Sequence, residues 1–113
     1  MTSDRLRRML RERDSHCWHC GTDQDLVPHH RMNRGSGGRK SLDRIDNLIL
    51  VCARYNGLME SNAAVAVEAR DFGHKLASWD DFSHPVFDQA ELSWWELTPE
   101  GLKNRVNPPN YLI

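Results

Sequence analysis

Three polar residues stand in order, each in a different short element, and together they constrain the fold of this chain most. His30 closes the run Leu26 to His30, which reads as a strand. Asn47 opens a second apolar run, Asn47 to Cys52. Asn56 follows within Ala53 to Glu60, which reads as a helix. Between the two runs lies a loop, Asn33 to Lys40, where Gly35, Gly37 and Gly38 supply left-handed or flexible backbone. Two short strands, a loop between them and a helix directly after are the expected centre of the molecule.

The flanking segments add to this. Ser3 is a good N-cap, and Leu6, Met9 and Leu10 recur at helical spacing, so Asp4 to Arg13 reads as an amphipathic helix. Its outer face carries Arg5, Arg7, Arg8 and Arg11, either a solvated surface or a phosphate contact. Asn62 can cap a further helix, Ala63 to Phe72, with Gly73 as its stop. Residues 85–88 and Leu92 to Leu97 can pair as a hairpin, and Pro108-Pro109 ends regular structure. A chain of 113 residues that mixes elements in this way is expected to be one α+β domain.

Composition excludes some classes. Hydrophobic content of 39% and charged content of 27% are those of a soluble globular chain, and the longest apolar stretch, Leu48 to Ala53, is far short of a membrane span. The Arg-rich N-terminal segment lacks the apolar run of a secretory signal, so the cytoplasm is the expected compartment and three cysteines are expected as reduced thiols or metal ligands. Charge is uneven. Residues 1–56 hold 11 Lys/Arg against 7 Asp/Glu, whereas residues 57–113 hold 4 against 9. A basic half beside an acidic half suggests a local phosphate-binding face, with ordinary surface charge as the alternative.

Hydrolysis of a phosphodiester needs a base to deprotonate water and a cation to stabilise developing charge. His30 is the candidate base, because imidazole is available in its neutral form near pH 7. His29 is the candidate metal ligand. Adjacent strand residues point to opposite faces, so both serve one site only if the strand ends there, which Pro28 before and the glycine loop after make plausible. Asn56 would present its carbonyl oxygen from the helix, and Glu60, four residues on, lies on the same helical face and within reach of the same ion. Asn47 reads as a brace whose amide bonds loop backbone. Arg31, Arg34, Arg39, Lys40 and Arg44 cluster around the glycine loop and are candidate DNA phosphate contacts.

The pieces Cys17-Trp-His-Cys-Gly, Val-Pro-His-His-Arg, Asn47-Leu-Ile-Leu-Val-Cys and Arg-Tyr-Asn-Gly-Leu-Met-Glu occur in that order over residues 15–62. This segment resembles the HNH endonuclease family, in particular the small HNH proteins of bacteriophages. The resemblance implies a ββα-metal core, which the residue patterns above flank with an N-terminal helix, a helix after the core and a short C-terminal β-hairpin. It also implies a divalent cation (Mg²⁺, Mn²⁺ or Ni²⁺) and cleavage of double-stranded DNA, in the host cytoplasm if the chain is phage-encoded. By motif position His30 is the general base, His29 and Asn56 hold the metal, and Asn47 is the middle asparagine, making a His-Asn-Asn variant. Residues 73–113 form an extension outside the match.

Many members of that family bind structural zinc through two CxxC pairs. Here Cys17 and Cys20 form the first, but the second reads Cys52-Ala-Arg-Tyr55, with tyrosine at the fourth position. Structural zinc wants four nitrogen or sulfur ligands, and His16 or His19 would have to supply the last. The alternative is three reduced cysteines packed as small apolar groups. Other readings remain. A thioredoxin-like CxxC should follow a buried strand, and this one follows an Arg-rich helix. Residues 35–41 lack the glycine that a P-loop places directly before its lysine. A module of this fold that binds DNA or a phage partner without cutting is the serious rival.

Overall fold

Ser3 accepts from the Leu6 amide at 3.2 Å and starts helix α1, Asp4–Arg13, whose apolar stripe ends on fully buried Leu10. The computed structural model describes residues 3–33 and 42–110. Strand β1, Leu26–His30, pairs antiparallel with β2, Leu48–Cys52, in a register that sets His29 opposite Ile49 and His30 opposite Leu48. A single 3₁₀ turn, Ile45–Asn47, leads into β2.

The run Leu-Ile-Leu-Val of β2 is buried throughout because both faces of the strand are covered. Leu48 and Leu50 pack with Leu10 and Ile45 beneath α1, while Ile49 and Val51 pack with Tyr55, Met59 and Ala69 on the other side. The end of α1 is fastened to β2 by polar groups. The buried Asp14 carboxylate takes two bonds from the Arg13 guanidinium, at 2.7 and 3.0 Å, and one from the Leu50 amide at 3.1 Å. Arg13 also donates to the carbonyls of Ile45 and Leu48.

Helix α2, Ala53–Ser61, begins directly after β2, with Cys52 Sγ capping the Tyr55 amide. Asn62 caps α3, Ala63–Asp71, through the amides of Ala64 and Val65 at 3.0 and 3.2 Å, as its position in the sequence suggests. Gly73 then turns the chain with φ +72°. A β-carbon there would stand 2.1 Å from the Pro85 carbonyl oxygen, so only glycine fits.

The C-terminal part differs from the expected hairpin. Strands β3, Val86–Asp88, and β4, Ser93–Leu97, do pair, but β5, Lys103–Val106, adds a third antiparallel strand. Lys-Asn-Arg-Val carries a single apolar residue, too little to mark a strand in the sequence. Val86 and Leu97 join Cys17, Trp18, Ile49 and Tyr55 in one core, so the two sheets and the three helices among the described residues form one α+β fold. Among the described residues no helix is long and apolar enough to cross a membrane.

Candidate metal centre

His29, at the penultimate position of β1, is buried, and its ring is held on both sides. Nε2 lies 2.9 Å from the carbonyl oxygen of His74. A carbonyl only accepts, so Nε2 carries the hydrogen and Nδ1 is a bare lone pair. Burial pushes the His29 imidazole down to about 4, with the nearby Lys75 charge acting the same way, so the ring stays neutral at ordinary pH. Nδ1 faces Oδ1 of Asn56 on α2 across 3.2 Å. Two acceptors at that separation repel unless the amide turns its nitrogen inward or a cation lies between them. Neighbouring ligands of an octahedral cation about 2.1 Å away stand roughly 3 Å apart, so the pair fits such an ion. The backbone carbonyl behind the ring is the usual way to fix a metal-binding tautomer.

His30 ends β1 and is half-buried. Its Nε2 bonds Oδ1 of Asp43 at 2.7 Å. The carboxylate accepts, which leaves Nδ1 as the basic nitrogen. Both histidines, with Asn33, Asn56, Glu60 and Lys75, line one cleft of about 190 Å³. The strand ends here, which is how neighbours on β1 reach a common space. Glu60 is exposed, and its carboxylate stands 3.8 Å from Lys75 Nζ. Neither Asp43 nor Lys75 carried a signal in the sequence. Each is an ordinary charged residue whose partner lies far from it in the sequence.

Asn47 is fully buried and acts on backbone alone. Oδ1 accepts from the Met32 amide at 2.8 Å, and Nδ2 donates to the carbonyls of Met32 and Leu42 at 3.2 and 2.9 Å. It ties the two ends of the segment after β1 together, next to His30 and Asp43.

The arginines divide. Arg31 is buried, 1% exposed, and its guanidinium donates to the carbonyls of Gly73, Asp46, Phe82 and His84. It is a structural cross-link, which corrects its expected role as a phosphate contact. Arg44 forks onto Asp46 at 2.8 and 2.7 Å and lies over the Phe82 ring, away from the residues that line the cleft. Arg34, Arg39 and Lys40 fall outside the described residues.

The cysteines converge. Sγ atoms of Cys17, Cys20 and Cys52 lie within 4.8 Å of one another, with Cys20 and Cys52 3.8 Å apart, and the three can hold a metal ion. Cys17 Sγ accepts the amides of His19 and Cys20, at 3.3 and 3.5 Å, and Cys52 Sγ accepts that of Tyr55 at 3.4 Å. Burial outweighs the amide bonds at Cys17 and pushes its thiol up. Desolvation opposes ionisation of Cys20, but hydrogen bonds from the Thr22 backbone and the other two thiols outweigh it and the net shift is downward. At the fourth position Tyr55 turns its hydroxyl to His74 Nδ1 at 2.6 Å. Neither histidine fills the gap. His16 is bonded to Asp88 at 2.8 Å and to Ser15 at 3.0 Å, and His19 stacks on the Tyr55 ring with centroids 3.9 Å apart.

Compared with protein-family models, curated proteins and solved structures, the chain finds no match.

Proposed function

We propose that this protein is a divalent-cation-dependent DNA endonuclease with an HNH-type site on a ββα-metal core. One observation carries the reading: a bare, neutral His29 Nδ1 faces Asn56 Oδ1 across 3.2 Å, in a cleft that is also lined by His30, itself bonded to Asp43. The order of elements supports it, since the β1–β2 pair supplies both histidines and the helix that follows supplies Asn56.

His29 and Asn56 would hold the cation, with Glu60 in the same cleft. A bound Mg²⁺, Mn²⁺ or Ni²⁺ supplies charge stabilisation for the phosphate oxygens. His30 takes the proton of the attacking water on Nδ1, while Asp43 fixes the ring through Nε2 and stabilises the imidazolium that results. Asn47 positions this pair by closing the neck of the segment between Met32 and Leu42. The substrate is double-stranded DNA. The three sulfurs of Cys17, Cys20 and Cys52 would hold a Zn²⁺ ion one protein ligand short of the four-ligand structural set, because Tyr55 at the fourth position bonds His74.

Supercoiled plasmid incubated with Mg²⁺, Mn²⁺ or Ni²⁺, beside His30→Ala and a chelator control, tests the reading. Nicking that needs metal and is lost in His30→Ala is expected; no nicking with any metal overturns it. Elemental analysis of protein purified without a metal-binding tag is expected to find zinc near one equivalent, and a value near zero removes the zinc assignment. A second reading, a DNA-binding module that does not cut, is favoured by the Glu60–Lys75 pair, which leaves His29 and Asn56 as two neutral ligands. Duplex binding without nicking is its signature.

A further inference from the structure

A second groove, of about 580 Å³, runs between α1 and β1 and is lined by Arg7, Arg11, Ser15, Leu26, Val27 and Pro28, among others. Arg7 and Arg11 lie one helical turn apart on one face of α1, about 6 Å along its axis. Both are exposed, and among the described residues no carboxylate pairs with either, whereas Arg13 is spent on Asp14 and Arg44 on Asp46. The Asp14 carboxylate in the groove wall is neutralised by Arg13 and also accepts from the Leu50 amide, and Asp23, which accepts from the Gln24 side-chain Nε2 at 2.8 Å, is the remaining acid there. Pro28 belongs to the wall of this groove and to that of the cleft holding His29 and His30, so the two depressions adjoin.

We propose that this groove is the track of one phosphodiester strand of the DNA duplex, gripped by Arg7 and Arg11 and led past Pro28 to the cleft; the inference rests on the nuclease reading for its substrate. Two unpaired guanidinium groups one turn apart on a helix, on a groove that adjoins the histidine cleft at Pro28, suit a regularly charged polyanion. The contacts are to phosphate, so they set register and affinity and carry no sequence preference.

Binding of a short fluorescein-labelled duplex, followed by anisotropy in the presence of a chelator over a range of salt concentrations, tests it without requiring cleavage. Arg7→Gln/Arg11→Gln keeps helix-favouring residues at both positions. Losing two phosphate contacts is expected to make the slope of log K against log salt shallower by about 1.8. Arg105→Gln, exposed on β5 and outside both depressions, is expected to keep the wild-type slope. A double variant with the wild-type slope and an unchanged melting temperature overturns the groove, as does a wild-type protein that does not bind duplex. A shallower slope in a protein that never nicks plasmid supports the groove and sinks the nuclease reading. Nicking with an unaltered slope does the reverse.

Discussion

Tyr55 donates its hydroxyl hydrogen to Nδ1 of His74 at 2.6 Å. Burial pushes the phenol well above its usual range and the imidazole down to about 3, so both groups stay neutral and the direction of the bond is fixed. His74 Nε2 donates in turn to the Phe87 carbonyl at 2.7 Å, and the His74 carbonyl holds His29. The residue beside the cysteine triad is thus linked to His29 through one residue, by the imidazole of His74 on one side and its backbone carbonyl on the other. Tyr55→Phe leaves a buried acceptor without a donor, and a loss of about 1–3 kcal/mol in urea unfolding is expected. An unchanged midpoint would mean that the bond contributes nothing.

Acid should destabilise the fold in a defined window. His29 and His74 are held neutral, at about 4 and about 3, below the ordinary imidazole value of 6.5. The unfolded chain therefore binds protons that the folded one refuses. Their contribution is complete above pH 6.5 and is lost as pH falls toward those folded values, at about 1.4 kcal/mol per pH unit for each ring. Urea midpoints measured between pH 7 and pH 4.5 are expected to fall steadily. A flat profile across that range would contradict the burial of both rings in neutral form.

Asn47→Ala should cost stability as well as rate. It strips partners from the Met32 amide and from two carbonyls, all attached to the segment that carries Asp43. A loss of about 2–4 kcal/mol is expected in calorimetry or urea unfolding. A purely kinetic defect with wild-type melting would make Asn47 a reactive group rather than a brace.

Asp43→Asn removes the charge beside His30 and keeps the shape. The variant is expected to melt like the wild type but nick about tenfold more slowly or worse, because an amide stabilises imidazolium less than a carboxylate does. Single-turnover nicking at saturating metal measures this, and a wild-type rate would remove Asp43 from the chemistry.

Much of this architecture was legible from local signals. Ser3 and Asn62 cap the helices that follow them, and the apolar runs ending at His30 and Cys52 are strands in the expected places. The convergence of His29, His30 and Asn56 on one cleft also follows from their order along the chain. What escaped depends on distant partners. Arg31 looks in one dimension like any loop arginine, but carbonyls from residues 73–84 enclose it. Asp43 is one acid among several charged residues until the fold sets it against His30. Tyr55 marks the missing cysteine, yet its alternative partner, His74, lies 19 residues away and has no motif.

The source of His74 has a practical consequence. A fragment ending near residue 62 would carry every motif residue, yet it would lack the carbonyl that sets the His29 tautomer, three of the four carbonyls that hold Arg31, and the Val86 and Leu97 side chains that close the core. The motif is not a transplantable cassette. A graft into another scaffold, or a trimmed version for engineering, must bring the C-terminal sheet with it, and random truncation libraries should lose folding abruptly once β4 is cut.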